Sequence, residues 1–300
     1  MKYPNFFSKK PNDYSRPSYR ISPFQTKDIS KNAKISSVTE NHDDNLLYKN
    51  IYSYTFANSG REALYLALEN CQLGKDDCVT ILSVTNSQYI SSCVTDTVQL
   101  FCKWNRDITN QTKAIIVIHE FGKQFKNFEE IKSLNLPIIE DFAYSFSSYN
   151  RTAEKFIGDY LVFSLSKFFP VQFGGLLLSK TNLSKKNNEF VRSLFLHYVT
   201  QEAEIFNARK RTYQQMLDCF SEVSIDPFFT FEDNECPGVF MFKISEKLDT
   251  LEKLKKDLHF RGIECSVFYG NPAFFIPCNQ NLEFEDIMYF RSSIQDSLKI

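Results

Sequence analysis

The sequence predicts an α/β fold: a mostly parallel central sheet with helices on both faces, plus a small C-terminal α+β domain. Three observations carry this. Between residues 79 and 179, short apolar runs alternate with polar or helix-patterned stretches. Those runs are continuously apolar, as strands covered on both faces are. From residue 239 onward, the order strand, helix, strand, helix marks a second and smaller unit.

The elements follow in chain order. Residues 1–50 are polar and broken by Pro4, Pro11, Pro17 and Pro23, which predicts an irregular arm with a short helix at most. Residues 51–200 form the α/β domain. Its first helix is REALYLALENC, where Ala63, Leu64, Leu66, Ala67 and Leu68 suit a buried face and Gly74 is the expected stop. Strands are expected at Val79–Ser83, Val98–Trp104, Ala114–His119, Pro137–Asp141, Leu161–Leu165 and Leu176–Ser179. Between the third and fourth, Phe125, Phe128, Ile131 and Leu134 make one helical stripe. Residues 201–300 hold a bridging helix over 200–220, then a strand at Val239–Ile244 and a helix at Lys247–Phe260 that Gly262 ends as a left-handed cap. A strand at Cys265–Tyr269 and a last helix at Glu283–Leu298 complete the small domain.

Composition excludes several functions. The chain has 300 residues, 43% hydrophobic and 24% charged, with 35 Lys+Arg against 36 Asp+Glu. No global basic field exists to hold nucleic acid or an anionic membrane. The longest apolar runs, such as Ala114 to Ile118, fall far short of the ~20 residues of a membrane-spanning helix. The N-terminal residues lack an apolar core of signal-peptide length, and eight cysteines occur without a CxxC pair, so reduced thiols in the cytoplasm are expected. Four scattered histidines give no metal-ligand pair. G-x-G-x-x-G, GxxxxGK[ST], D-x-D and GxSxG patterns are all absent. The 30 phenylalanines read first as core filler.

Chemistry is then sought at the carboxyl ends of the strands, where ligands of parallel sheets bind. Asn58-Ser59-Gly60-Arg61 opens a helix whose free N–H groups and positive dipole favour a phosphate; alone, Ser59 reads as an ordinary N-cap. LPIIEDFAYSF ends a buried strand in Glu140-Asp141, a costly place for carboxylates unless they cap the next segment or meet a protonated ring nitrogen, as in pyridoxal phosphate enzymes. In GDYLVFSLSKFFPVQFGG, Lys167 follows a strand and precedes Phe168, Phe169 and Pro170. Such a lysine either snorkels outward or, desolvated and with a lowered pKa, serves as a Schiff-base amine. Ser164 stands three residues earlier, within reach of a phosphate.

In that order the segments resemble fold-type I pyridoxal phosphate enzymes, and most closely the DegT/StrS family of nucleotide-sugar aminotransferases. SGREALYLAL resembles the family's SGTxALxLAL, TKAIIVIHEFG its TKAIIPVHLYG, and IIEDFAYSF its IEDAAQAHG. GDYLVFSLSKFFPVQFGGLLLSK is similar to a shortened GDxxxFSF…K…GG lysine segment; ARKRTYQQML and RGIECSVFYG resemble the bridging helix and a small-domain strand. The likeness runs from about residue 50 to the C-terminus.

The resemblance implies roles by position. Lys167 is the lysine that bonds pyridoxal 5'-phosphate and moves the proton, and Asp141 keeps the pyridine nitrogen protonated. Ser59, Gly60, Arg61 and Ser164 hold the phosphate, and Tyr144 falls where the family has Gln near the phenolic oxygen. It further implies a homodimer with shared active sites, glutamate as amino donor, a keto sugar on a nucleotide as acceptor, and cell-surface polysaccharide synthesis as the usual setting. Departures are specific: Ser164 and Lys167 are closer than usual, Arg61 replaces Thr, and Thr212 stands where an Asn reaching the partner's phosphate site is expected. Ser83 to Asn86 lacks the ring-stacking aromatic, for which Tyr89 is a substitute. The same residues are compatible with a pyridoxal phosphate enzyme for another keto substrate, or with a non-catalytic relative that only binds.

Overall fold

A computed structural model describes residues 18–35, 53–152, 156–183 and 187–299. Most of the expected N-terminal arm, 1–17 and 36–50, lies outside the described residues; 18–35 carries one six-residue helix, α1 (Asp28–Ala33). The larger sheet has seven strands: β1 (Ser53–Ala57), β2 (Cys78–Ser83), β3 (Lys103–Asn105), β4 (Thr112–Ile118), β5 (Ile138–Asp141), β6 (Tyr160–Ser164) and β7 (Gly175–Ser179). Their order is β1-β7-β6-β5-β4-β2-β3, and β7 alone runs against its neighbours. The mostly parallel sheet with helices is therefore present.

Alternation along the strands explains the two apolar faces. In β6 and β7, Leu161, Phe163, Leu176 and Leu178 point into an aromatic core with Phe56, Phe142, Phe146, Phe169 and Phe195. Tyr160, Val162 and Leu177 point the other way, against α2 (Gly60–Asn70) and α3 (Ser92–Gln99). Among the described residues, ten of the twelve largest fully buried side chains are phenylalanines, which answers the composition: Phe is core filler here.

The second sheet is antiparallel, ordered β8-β10-β9 from β8 (Val239–Lys243), β9 (Ser266–Val267) and β10 (Ala273–Pro277). It packs with α8 (Leu248–Phe260) and α9 (Phe284–Leu298). Gly262 does take a left-handed φ of 81° just past α8. The long helix α7 (Glu202–Ser221) joins both cores: Ile205 and Phe206 lie in the aromatic core, while Tyr213, Met216 and Phe220 lie in that of the small sheet. No helix among the described residues is long and apolar enough to cross a membrane.

Several expected elements differ. The run Val98–Trp104 is not one strand: Ser91 caps α3, Val94, Thr97 and Val98 bury its inner face, and only Lys103–Asn105 pairs with β2. Gly74 does not close α2; the helix ends at Asn70 and Gln72 takes the positive φ, 53°. The helix expected over the Phe125–Leu134 stripe shrinks to α4 (Glu129–Lys132), although Phe125, Phe128 and Ile131 still pack together. Four further elements carried no recognised signal: β1, β10, α5 (Phe146–Thr152) and α6 (Glu189–Val199).

Candidate active site

The carboxyl ends of β1, β2, β4, β5 and β6 and the first residue of the reversed β7 share one edge. Ala57 and Ser164 both pair with Gly175, Asp141 pairs with Ile118, and Ile118 with Ser83. A cavity of about 500 Å³ opens at this edge. Ser59, Gly60, Arg61, Asp141, Tyr144, Ser164 and Lys167, the seven residues to which the resemblance gives cofactor roles, line it.

The start of α2 forms one wall. Ser59 is the N-cap, and its hydroxyl accepts the Glu62 N–H at 3.1 Å. The Glu62 carboxylate in turn accepts the backbone and side-chain N–H of Asn58, both at 2.7 Å. The opening N–H groups of a helix have no partner within it, so those at Gly60 and Arg61 are available to an anion. Gly60 is required by closeness rather than by φ: a Cβ there would lie 2.9 Å from the Ser164 Cβ. That approach brings Ser164 to the helix start. Arg61 is exposed, and its Nη2 donates to the Cys93 thiol at 3.2 Å.

Asp141 and Glu140 are sequential and buried, and a strand sends them to opposite faces. Glu140 is consumed structurally. It accepts the Ile157 and Gly158 N–H groups at 3.0 and 2.6 Å and meets His119 Nε2 at 3.0 Å. His119 Nδ1 accepts the Phe125 N–H at 3.2 Å, which leaves the ring hydrogen on Nε2, donated to Glu140. Asp141 faces the cavity. Its Oδ1 accepts the Ala143 N–H at 2.8 Å, and among the described residues it forms no ion pair. Burial pushes its pKa up, opposed by the Ala143 hydrogen bond and by His119. This buried, unpaired carboxylate fits a cationic ring nitrogen.

Lys167 ends the single 3-10 turn Leu165–Lys167 after β6, and its Nζ lies 4.9 Å from the Tyr144 ring centroid. It lines the cavity and does not snorkel out. One expectation is corrected here. The Tyr144 oxygen raises the Lys167 pKa more than burial lowers it, so the ligand-free amine is held as ammonium. Tyr89 also lines the cavity, backed by Phe268 and Tyr269 at centroid distances of 5.4 and 5.9 Å. Thr212 is buried within its own chain and so presents nothing to a second copy.

Sequence reasoning missed His119, Glu120, Phe121 and Cys93 as lining residues. The first three directly follow β4, so the strand-end rule applied to HEFG would have found them. Phe121 sits at φ 52° in that turn, and its carbonyl accepts the Gly238 N–H at 2.8 Å. The Glu120 carboxylate accepts the Thr85 N–H at 2.9 Å, and burial raises its pKa.

No family model matches the chain. Solved structures do. Spr1654 of Streptococcus pneumoniae, assigned as a sugar aminotransferase and solved in its PMP form, aligns over 95% of this chain and 99% of its own, at 15% identity and TM-score 0.71. Helicobacter pylori PseC, an aminotransferase of pseudoaminic acid biosynthesis, aligns over 95% and 100%, at 13% identity and TM-score 0.68. A DegT DnrJ EryC1 StrS aminotransferase from Brucella abortus aligns over 83% and 87%, at 15% identity and TM-score 0.62. The chain has the fold of these aminotransferases. At such identities the likeness is one of fold, the fold-type I architecture that the sequence predicted.

Proposed function

We propose that this protein is a pyridoxal 5'-phosphate-dependent aminotransferase that moves an amino group from glutamate to a keto sugar carried on a nucleotide. The observation that carries the reading is the convergence of Asp141, Lys167, Tyr144 and the α2 N-terminus on one cavity of about 500 Å³. Fold alone does not fix function, and these side chains supply the site. The neighbours' names, sugar aminotransferases among them, support the substrate class.

When bound, the cofactor supplies an aldehyde carbon that bonds amines and a ring that draws electrons from the adjoining carbon. The chain's own groups do the rest. Gly60 and Arg61 N–H groups, with Ser59 and Ser164, hold the phosphate. Asp141 holds the ring nitrogen in its protonated form. Lys167 Nζ would bond the cofactor's aldehyde carbon, and the same amine would take and return the proton at the reacting carbon. Tyr144 orients that amine. Tyr89 shields one side from water.

A second copy of the chain completes the assembly in this reading, as a homodimer. It is supported by an exposed aromatic pair, Phe173 and Phe190, beside Asn188, whose amide donates to Asn58 at 2.8 Å next to the α2 start. The eight free thiols suit the cytoplasm, and the product suits cell-surface polysaccharide synthesis.

The test is the absorption spectrum of the purified protein with added pyridoxal phosphate, before and after glutamate, beside Lys167→Ala. A yellow band that glutamate bleaches, absent from the variant, is expected. A panel of nucleotide-linked keto sugars then identifies the acceptor. No cofactor band in the native protein overturns the reading and leaves a binding protein in its place.

A further inference from the structure

We infer that Arg209 is the positioning residue for Lys167: from the middle of α7 it fixes the backbone of the loop that carries the lysine, so that Nζ stays inside the cavity against Tyr144. The inference rests on the reading of Lys167 as the reactive amine.

The loop after β6 turns once and buries Phe168, Phe169 and Val171. Buried side chains draw their backbone away from water, so the carbonyls need other partners. Side chains remote in sequence supply them. Ser22 Oγ donates to the Ser166 carbonyl at 2.7 Å, and Asn32 Nδ2 to that of Pro170 at 3.0 Å. Arg209 Nη2 donates to the Lys167 carbonyl at 2.8 Å and to the Phe168 carbonyl at 3.3 Å. Its Nε donates to Gln280 Oε1 at 2.9 Å, and Gln280 Nε2 donates to the Phe168 carbonyl at 3.3 Å.

Arg209 is only 1% exposed and has no ion-pair partner among the described residues. A buried guanidinium without a carboxylate is expensive, and an apolar side chain of similar volume would serve packing better. Its placement answers why a charge is kept. It sits where α7 passes from the aromatic core to the core of the small sheet, and it ties both to the one carbonyl that belongs to Lys167. The planar fork reaches the loop and Gln280 at once; an ammonium is a single point and cannot. The groups that interact electrostatically with the lysine amine, Tyr144, Tyr89, Cys93 and Glu264, come from other segments, so a shift of the loop moves Nζ relative to all of them.

The test uses the full-length protein without cofactor. Acetic anhydride labelling of each lysine is followed by mass spectrometry from pH 7 to 11, with Lys103 as the internal reference. Thermal melts set a temperature at which every variant is folded. In the native protein Lys167 is expected to label slowly near pH 9, because Tyr144 favours its protonated form. In Arg209→Met it is expected to label at least about threefold faster at that pH, with its midpoint moved down, since the unprotonated fraction follows the pKa tenfold per unit. Gln280→Met shifts it the same way by less, and Arg209→Lys falls between native and Met. A Lys167 profile unchanged in both Arg209→Met and Gln280→Met, whatever their melting temperatures, overturns the inference. If Arg209→Met does not fold, Gln280→Met decides alone. The cofactor spectrum plays no part, so failure of the aminotransferase reading and failure of this one are separate results.

Discussion

Gly175→Ala is the sharpest test of how the phosphate end of the cavity is built. Gly175 opens β7 and lies against the residue that caps α2. A Cβ at this position would stand 2.2 Å from the Ser59 carbonyl oxygen and 2.8 Å from the Gly60 nitrogen, all backbone. Real Cβ atoms essentially never come within 3.0 Å, so the α2 entrance must retreat by about 0.8 Å. The same Ser59 oxygen accepts the Ala63 N–H at 3.0 Å, the first bond of the helix, and Gly174 N–H donates to the Asn58 carbonyl at 2.9 Å. Both loosen together. Overpacking of this kind costs about 1–3 kcal/mol, and for a chain of this size roughly 2–4 °C of melting temperature per kcal/mol. The cofactor should suffer more, because a displacement near 1 Å in a positioned site costs up to about a hundredfold. Differential scanning fluorimetry and a pyridoxal phosphate titration followed by absorbance measure the two effects. Gly74→Ala is the control, since its Cβ would make only ordinary 3.4 Å contact with the Asp77 side chain. A Gly175→Ala protein that melts and binds like Gly74→Ala would refute the proposed geometry of the α2 entrance.

Other consequences are as direct. Ser59→Ala removes the N-cap acceptor of the Glu62 N–H and should cost about 1 kcal/mol, seen as a melting shift of roughly 2 °C. Asp141→Asn and Glu140→Gln should separate cleanly. Burial raises the Asp141 pKa, so the fold disfavours its ionised form; that penalty is absent below the unfolded pKa and fully present once pH exceeds the folded one. Ligand-free Asp141→Asn should therefore melt no lower than native protein at pH 7, lose that advantage near pH 4, and bind cofactor poorly. Glu140→Gln leaves one of its two N–H donors or His119 without an acceptor, for about 1–3 kcal/mol, while keeping cofactor binding; equal cofactor loss in both variants would contradict the two-faced strand. Tyr144→Phe removes the oxygen that does most to raise the Lys167 pKa and leaves burial opposed only by the smaller effects of Glu264 and Cys93, so the pKa falls; faster acetylation of Lys167 near pH 9 is the readout, and an unchanged profile counts against the pairing.

The parts of the fold that sequence reached were those with one dominant cause. β4, β6 and β7 are strands of five to seven residues built on continuous apolar runs with covered faces, the text that suits a buried strand. The misread elements had two. Val98 ends an amphipathic helix and also begins the apolar text VQLFCKW; periodicity alone cannot separate a helix end from a strand start, and tertiary packing decided. β10 is the central strand of its sheet, yet Pro272 and Pro277 frame it and argue against a strand. Its Phe274 and Ile276 pack on one side and Ala273 and Phe275 on the other, which is a long-range fact.

The site was legible for a different reason. Ser59 caps a helix, Asp141 and Ser164 end strands, and Lys167 lies three residues past one, so a one-dimensional scan around element ends collects all four without knowing the fold. What that scan cannot weigh is a neighbour from another segment. Lys167 followed by three ring-bearing residues reads either as a snorkelling side chain or as an amine with a depressed pKa; Tyr144, 23 positions earlier, holds it in the cavity and reverses the sign of the shift. Arg209 shows the same limit more strongly. In the text ARKRTY it is one of three basic residues on a polar helix; of the two beside it, Arg211 is exposed and Lys210 is half-buried and donates to the Glu232 carbonyl at 3.1 Å. Only the crossing of α7 over the Lys167 loop turns that one guanidinium inward, onto two carbonyls and Gln280. A buried charge whose partners are backbone carbonyls holds a position rather than a charge balance, and the position it holds is that of Lys167.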